Sequence, residues 1–474
     1  MNTSAKAQQG STNVEPQYNI KYISAITVVA ALGGLLFGYD WVVIGGAKPF
    51  YEKFFNLTSS FQIGWAMSCA LVGCLIGSLL SGSLTDRFGR KRLLILAAFL
   101  FIIAAFWTGM ANSFTSFVLA RIFGGIAVGL ASNLSPMYIA EVSPAAMRGR
   151  FVSINQLTVV VGILAAQIVN WLIAEPVPQD FSVQQILNSW NGQSGWRWMF
   201  GAQVVPAAAF FALMFLVPES PRWLVKNGKD NRAFNVLRKI GGEAYAKDEV
   251  SQIRATLVNE IEKVNFKELL EPKMRKILFI GVFLAVFQQW CGINVIFNYA
   301  EEVFSSAGYG VSDILLNIVI TGVVNLVFTF VAINTVDRWG RKNLMLLGSA
   351  GLAVIYVLIG TCYYLHSNGI HVLLLVIAAI ACYSCTLAPI VWVLLSEIFP
   401  NRMRGAAMSI SVFGLWTGCF TLTYTFPILN KTLGAAYTFW IYAAICIIGF
   451  VFVKSQVKET KGKTLEQIER ELKD

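Results

Sequence analysis

DRFGRK at Asp86–Lys91 returns as DRWGRK at Asp337–Lys342, 251 residues further along the chain. EVSPAAMRG at Glu141–Gly149 then returns as EIFPNRMRG at Glu397–Gly405, so the two motifs keep their order. Each copy lies between long apolar stretches. The repeat predicts two copies of one multi-helix unit joined head to tail. Such a duplication is typical of transporters, in which a site forms between the halves, provided that the apolar stretches cross a membrane.

The composition indicates that these stretches do cross a membrane. Hydrophobic residues make up 56% and charged residues 13% of the 474 residues, which excludes a soluble globular protein. A helix needs roughly 20 apolar residues to cross the hydrocarbon core. Windows of that length lie near 21–47, 62–84, 92–112, 115–137, 151–174, 198–217, 276–303, 312–336, 343–365, 370–396, 405–430 and 434–454. The sequence therefore predicts an all-α membrane protein with twelve transmembrane helices in two pseudo-symmetric six-helix bundles.

Polar segments divide the chain around these two bundles. We expect a polar N-terminal tail over 1–20, a first bundle over 21–217 and a cytoplasmic helical linker over 218–275. A second bundle follows over 276–454, and a cytoplasmic C-terminal tail over 455–474. The charge patterning of the linker predicts short amphipathic helices, because its apolar content is too low for a folded domain. Leu465, Ile468 and Leu472 predict a similar short helix in the C-terminal tail.

The basic residues predict the orientation in the membrane. If both termini are cytoplasmic, the inner segments hold 32 of the 37 Lys and Arg residues, as the positive-inside rule requires. The net charge of +11 then reflects topology and contact with anionic lipid heads, and a nucleic-acid partner is not expected. The eight cysteines and two histidines show no metal-ligand spacing, so no metal site is predicted.

Two further motifs complete a recognisable set. PESPRWL at Pro218–Leu224 follows the sixth predicted span, and ETKG at Glu459–Gly462 follows the twelfth. Together with the repeated loops, they resemble the sugar porters of the major facilitator superfamily over about residues 21–465. Within that family the chain looks closest to bacterial symporters of the xylose–proton type. The resemblance implies a multi-pass protein of the bacterial inner membrane that binds a monosaccharide. We expect a functional monomer in the lipid bilayer, with no cofactor and with a proton as the coupling ion.

Two charges lie at membrane depth. Asp40 follows Phe37-Gly38-Tyr39 in the first span, and Arg121 lies within the fourth. A charge at this depth costs at least about 3 kcal/mol, so each side chain should face a partner or a wet cavity, and we expect the two to pair. In the resembling symporters, an acid and an arginine at these positions couple the proton to the sugar. A structural ion pair in a passive uniporter is the alternative.

The repeated loops predict a charge network at the cytoplasmic ends of the helices. Acids and bases recur in the same order in both halves, and a cation at a helix C-terminus compensates the helix dipole. We expect the network to hold the cytoplasmic side shut in the outward-facing state and to break in the other state; a static topology anchor is the alternative. The predicted gate residues are Asp86, Arg90, Glu141, Arg148, Glu219, Asp337, Arg341, Glu397, Arg404 and Glu459.

Amide side chains in several spans predict a sugar site. An amide both donates and accepts hydrogen bonds, as a sugar hydroxyl requires, and an aromatic ring covers the C–H face of a sugar. The candidates are Phe37, Gln156, Gln167, Gln288, Gln289, Asn294, Asn298, Asn325, Trp392 and Trp416. Gln288 and Asn294 are about 120° apart on an ideal helix, so a break near Cys291-Gly292 is needed to bring them together.

The resemblance assigns part of this set more closely. Gln156, Gln288, Gln289, Asn294 and Trp392 match sugar-contacting positions of the family, and Phe37 matches a position that lines the same cavity. Asn298 stands where a tyrosine is usual, and Leu415 stands where an amide is usual. These two departures leave the identity of the sugar open.

The sequence favours secondary active transport of a pentose or hexose by alternating access, in symport with a proton. A passive facilitator for a sugar or for a polyol such as inositol is the second hypothesis, and a membrane sugar sensor is the third. An enzyme is not expected, because no nucleophile–base set and no phosphate loop is present.

Overall fold

Twelve helices are long and apolar enough to cross a membrane in the computed structural model, which describes residues 17–178, 181–259, 271–367, 369–399 and 403–461. In order, spans 1 to 6 are Ile20–Phe54, Ser60–Phe88, Arg90–Met110, Phe114–Val142, Arg148–Ile173 and Asn191–Met214, the last divided near Gly201. Spans 7 to 12 are Pro272–Asn298, Val311–Trp339, Arg341–Tyr364, Ile370–Ile398, Arg404–Leu433 and Ala435–Gln456. No strand occurs in these ranges, and the predicted all-α fold is confirmed.

The two halves use the same pairs of packed helices. Span 1 packs on span 5, span 2 on span 4 and span 3 on span 6, and spans 7 and 11, 8 and 10, and 9 and 12 pair in the same way. Between the halves, span 2 packs on span 11 and span 8 packs on span 5. These two contacts are equivalent under exchange of the halves, so the internal repeat of the sequence is a repeat of packing.

Span 7 is broken at the predicted position. Its first helix ends at Trp290, and Gly292 adopts a left-handed conformation (φ 87°) before Ile293–Asn298 resumes the helix. A side chain disfavours this conformation, so glycine is the residue that allows the break. Span 10 is also interrupted, at Thr386, which the sequence did not predict.

The linker contains short helices, as predicted. The first is Pro221–Lys226. The segment Asp230–Asn259 that follows consists of two helices, which meet at Gly242, where the backbone is not helical (φ 85°, ψ −178°). Its first part docks on the start of span 1, where the Asn19 amide donates to the Ile240 carbonyl at 2.8 Å.

The two DRxGRK loops form matching tight turns. Gly89 (φ 89°) and Gly340 (φ 85°) each separate two spans without an intervening loop. We call the side of the molecule that carries these turns the motif face and the opposite side the far face. The predicted tail helix with Leu465, Ile468 and Leu472 lies outside the described residues.

Candidate functional site

Asp40 and Arg121 form the predicted ion pair inside the first bundle. An Arg121 Nη1–H donates to Asp40 Oδ1 at 2.7 Å, and Nη2–H donates to the Asp40 carbonyl at 3.2 Å. Both side chains are buried, and the guanidinium also lies 5.3 Å from the ring centre of Phe200. Pairing offsets the cost of placing each charge at membrane depth. Removal of either partner would leave the other charge buried and unpaired.

The ion pair lines a cavity that reaches the second half of the molecule. The lining residues are Asp40, Trp41, Ile44, Met67, Ala70, Leu71, Cys74, Arg121, Val128 and Asn298. Asn298 is the only one of them from the second half, and its amide oxygen is buried without a hydrogen-bond partner among the described residues. A buried acceptor without a partner costs roughly 1–3 kcal/mol, so this oxygen is suited to receive a bond from a ligand hydroxyl or a water.

Aromatic rings extend the same region across both halves. Phe37, Trp41 and Trp416 form a triangle with 6.0 Å between each pair of ring centres. Trp416 is the member from span 11, and it is 4% exposed. The triangle offers apolar faces of the kind that pack on the C–H surface of a sugar.

The break in span 7 brings its amides together. Asn294 donates to Gln289 Oε1 at 2.6 Å, and Gln289 donates to Gln288 Oε1 at 3.4 Å. Gln288 in turn donates to the Leu387 and Ala388 carbonyls of span 10 at 3.3 and 3.1 Å. The three predicted amides thus form one chain of hydrogen bonds that ends beside the interruption of span 10.

The remaining sugar-site candidates are dispersed. Gln156 and Trp392 are exposed, whereas Gln167 is buried against Gly322 of span 8, and its Oε1 has no hydrogen-bond partner among the described residues. Asn325 accepts a hydrogen bond from Ser384 at 2.7 Å. This bond joins spans 8 and 10, so the Asn325 oxygen stabilises the packing of these two helices.

The motif residues of the first half form a compact network. Arg90 pairs with Glu141 at 2.8 Å, and Glu141 also accepts a hydrogen bond from Ser220. Glu219 accepts from the backbone amides of Arg90 and Lys91 at 3.0 and 3.1 Å, so its carboxylate caps the N-terminus of span 3. Negative charge at this helix end is favoured by the helix dipole.

The second half repeats this network with equivalent residues. Arg341 pairs with Glu397 at 3.2 Å, and Thr460 donates to the same carboxylate. Glu459 caps span 9 by accepting from the backbone amides of Arg341 and Lys342 at 2.9 and 3.1 Å. The side chains of Asp337 and Arg404 lie outside the described residues.

Two predicted gate residues have partners outside these two networks. Asp86 forms an exposed pair with Lys226 of the linker at 3.0 Å. Arg148 donates to the Ala140 carbonyl at 3.0 Å, whereas Arg90 and Ser220 contact the Glu141 carboxylate.

Arg148 instead lies near the linker. Burial raises the pKa of the Glu249 carboxyl, and the neighbouring Arg148 opposes that rise. The ion pairs described above thus connect helices within one half or connect the linker to a span. A cross-half gate at the motif face stays a prediction.

Sequence reasoning missed two parts of the site. Trp41 follows Phe37 by four residues and so shares its helix face, a spacing that could have revealed it. The partners of Lys48 lie about 250 residues away, at Glu301 and Glu302, and no sequence pattern links them.

The comparisons with known proteins agree with this architecture. The model of the family "Sugar (and other) transporter" matches residues 26–472. The D-xylose-proton symporter of Escherichia coli (strain K12) is 40% identical over 484 residues, which cover 96% of each chain. The arabinose-proton symporter of Bacillus subtilis (strain 168) is 38% identical over 467 residues, which cover 97% of this chain and 98% of that protein.

Among solved structures, a partially occluded inward-open conformation of the xylose transporter XylE from E. coli superposes with a TM-score of 0.82. Its sequence is 39% identical, and the match covers 94% of this chain and 100% of that one. The protein is a multi-pass membrane transporter of the major facilitator fold, and not an enzyme. It belongs to the sugar transporter family, as the sequence predicted.

Proposed function

We propose that this transporter moves a monosaccharide, a pentose or hexose, together with a proton by alternating access. One observation carries the proposal: the Asp40–Arg121 pair lines the same cavity as Asn298, a residue of the other half whose amide oxygen has no hydrogen-bond partner among the described residues. A proton acceptor and a candidate sugar contact from the other half therefore share one space. The similarity to the xylose-proton and arabinose-proton symporters above supports the same substrate class and coupling ion.

The ion pair supplies a mechanism for coupling. Protonation of Asp40 removes the charge that holds Arg121, so the guanidinium is free to find another acceptor. Two arrangements of one buried pair, selected by a proton, form a two-state element. A sugar that binds one arrangement better shifts the equilibrium towards it, and the proton and the sugar are then coupled by linkage.

The proposal extends to the setting of the protein. We place the motif face and both termini in the cytoplasm of a bacterium, with the chain in the inner membrane as a functional monomer. It needs no cofactor, and the proton is its coupling ion. The aromatic triangle and the contact of Lys48 with Glu301 and Glu302 join the halves away from the motif face, which supports an inward-facing state.

Uptake by purified protein in proteoliposomes tests this function. We expect accumulation of one pentose or hexose above equilibrium only with an inward proton gradient, from a panel of pentoses, hexoses and inositol. Equilibration that does not respond to the gradient would indicate a facilitator. No flux of any sugar would contradict transport and leave a sensor.

A further inference from the structure

Lys48 lies at the far end of span 1 and holds three carboxylates. Its ammonium contacts Glu52 at 2.7 Å, Glu301 at 2.8 Å and Glu302 at 2.7 Å. Lys48 is only 3% exposed, whereas about a fifth of each Glu301 and Glu302 side chain is exposed. We call these four residues the Lys48 cluster. Among the described residues, none of its ion pairs involves Asp40 or Arg121, and the proton coupling described above does not use it.

The Lys48 cluster joins the two halves. Lys48 and Glu52 belong to span 1, whereas Glu301 and Glu302 lie on the short helix Ala300–Ser305 that follows span 7. Spans 1 and 7 pack closely beside this cluster. Gly45 of span 1 lies so near the backbone of span 7 that a Cβ at this position would be 3.0 Å from the carbonyl oxygens of Phe297 and Asn298. Separation of spans 1 and 7 at the far face would therefore break two of the three ion pairs.

The charges of the cluster do not balance. One ammonium faces three carboxylates, and Glu302 Oε2 is buried without a hydrogen-bond partner among the described residues. Like charges at close range disfavour ionisation of one member, so the closed cluster favours a bound proton. About a fifth of the Glu302 side chain is exposed, so this residue lies at the edge of solvent at the far face.

Among the three carboxylates, Glu302 is the one that binds the proton. Burial raises its pKa to about 7, Lys48 opposes this rise, and Glu301 adds to it. The pKa of Glu301 stays below its ordinary value, because Lys48 outweighs the effect of burial. The titratable groups around Glu301 and Glu302 are Lys48, Tyr51, Glu52 and Lys53 on span 1, and Tyr299 beside them in the second half.

We propose that the Lys48 cluster is a latch that closes the far face and takes up a proton on Glu302 as it closes. In the open state Glu302 is solvated and separated from Lys48, so its affinity for the proton is ordinary. The closed state therefore binds the proton more tightly, and a fall in pH favours closure. The inference relies on the proposed alternating access for the existence of an open state.

The sign and size of the effect follow from linkage. The pKa of Glu302 is raised in the closed state, so closure gains stability as pH falls through about 7 and loses it as pH rises. With an ordinary value of 4.5 in the open state, the closed-to-open ratio should rise about tenfold between pH 8 and pH 6.

Distances between spin labels across the far face test the latch in the full chain without sugar. Thr58 and Ser306 are exposed and lie on opposite halves, so Thr58→Cys with Ser306→Cys reports opening, and the chain without these cysteines measures background labelling. We expect the long-distance fraction to decrease about tenfold relative to the short one from pH 8 to pH 6. A distribution independent of pH would overturn the proposal.

Variants assign the effect to its residues. Glu302→Gln should remove the pH dependence and keep the short distance, because the amide imitates the protonated acid. Lys48→Met should favour the long distance at high pH, since three carboxylates then repel. Asp313→Asn, an exposed acid near the same face, should behave as the parent chain. Retention of the full pH dependence by Glu302→Gln would overturn the latch, whereas proteoliposome uptake tests the proposed function independently.

Discussion

At the residue scale, the site consists of buried polar groups, and only some of them have an ion-pair or hydrogen-bond partner. Asp40 and Arg121 satisfy each other, whereas the oxygen of Asn298 in the same cavity has no partner among the described residues. Asn325 shows the contrasting case, because its oxygen accepts from Ser384. Two asparagines with similar burial are thus expected to differ in role, one in ligand binding and one in helix packing.

This contrast gives a prediction for Asn298. Asn298→Leu should weaken sugar binding by roughly 1 kcal/mol, about fivefold to tenfold, because one hydrogen-bonding group is lost. The melting temperature should not fall, since the Asn298 oxygen makes no internal bond. Binding is measured by isothermal titration calorimetry of the purified protein.

Asn325 supplies the matched control. Asn325→Leu leaves the Ser384 hydroxyl without its acceptor, so it should lower the melting temperature. If Asn298→Leu lowers the melting temperature as much and leaves sugar affinity unchanged, then Asn298 is a packing residue and the cavity is not the sugar site.

At the scale of elements, equivalent helices of the two halves are capped in the same way. Glu219 caps span 3, and Glu459 caps span 9, each through two backbone amides. Gly89 and Gly340 leave room for these carboxylates, since a Cβ at either glycine would collide with the capping acid. The DRxGRK motif therefore combines three features: its glycine forms the turn, the two backbone amides after the glycine bind the capping acid, and the arginine after the glycine forms the ion pair.

The caps predict equal losses of stability in the two halves. Glu219→Ala and Glu459→Ala should each cost about 1 kcal/mol, because two helix amides lose their acceptor. Thermal unfolding in detergent measures the effect, with exposed Glu243 of the linker, changed to Ala, as the control. A large loss in one half with none in the other would argue against equivalent caps.

The break in span 7 gives a second prediction at this scale. Gly292→Ala should destabilise the protein by more than about 1 kcal/mol, because alanine disfavours φ 87° and its Cβ would lie 2.9 Å from the Tyr442 ring. Sugar affinity should fall as well, since the Gln289–Asn294 hydrogen bond depends on the break.

Gly228 of the linker offers a control for the positive φ alone. It has φ 68° and no atom within 4 Å of a Cβ, so Gly228→Ala should show only the conformational penalty. If the two variants lose the same stability and keep the same sugar affinity, then the break of span 7 does not organise the site.

At the scale of the whole molecule, the sequence predicts what depends on composition and on local cost. Twelve apolar windows and the repeated motifs predict the two bundles. The free-energy cost of a buried charge predicts that Asp40 and Arg121 pair. The partners of Lys48 and of Glu141 depend on how helices dock, which no local pattern encodes.

Coupled transport depends on Asp40 as the proton carrier, and sugar uptake by the Asp40→Asn variant in proteoliposomes tests that role. We expect the variant to lose accumulation of sugar against its gradient under an inward proton gradient, because Asn cannot take up the proton. Counterflow, the exchange of labelled for unlabelled sugar, should continue, since it needs no net proton movement. Undiminished accumulation by Asp40→Asn would contradict the account.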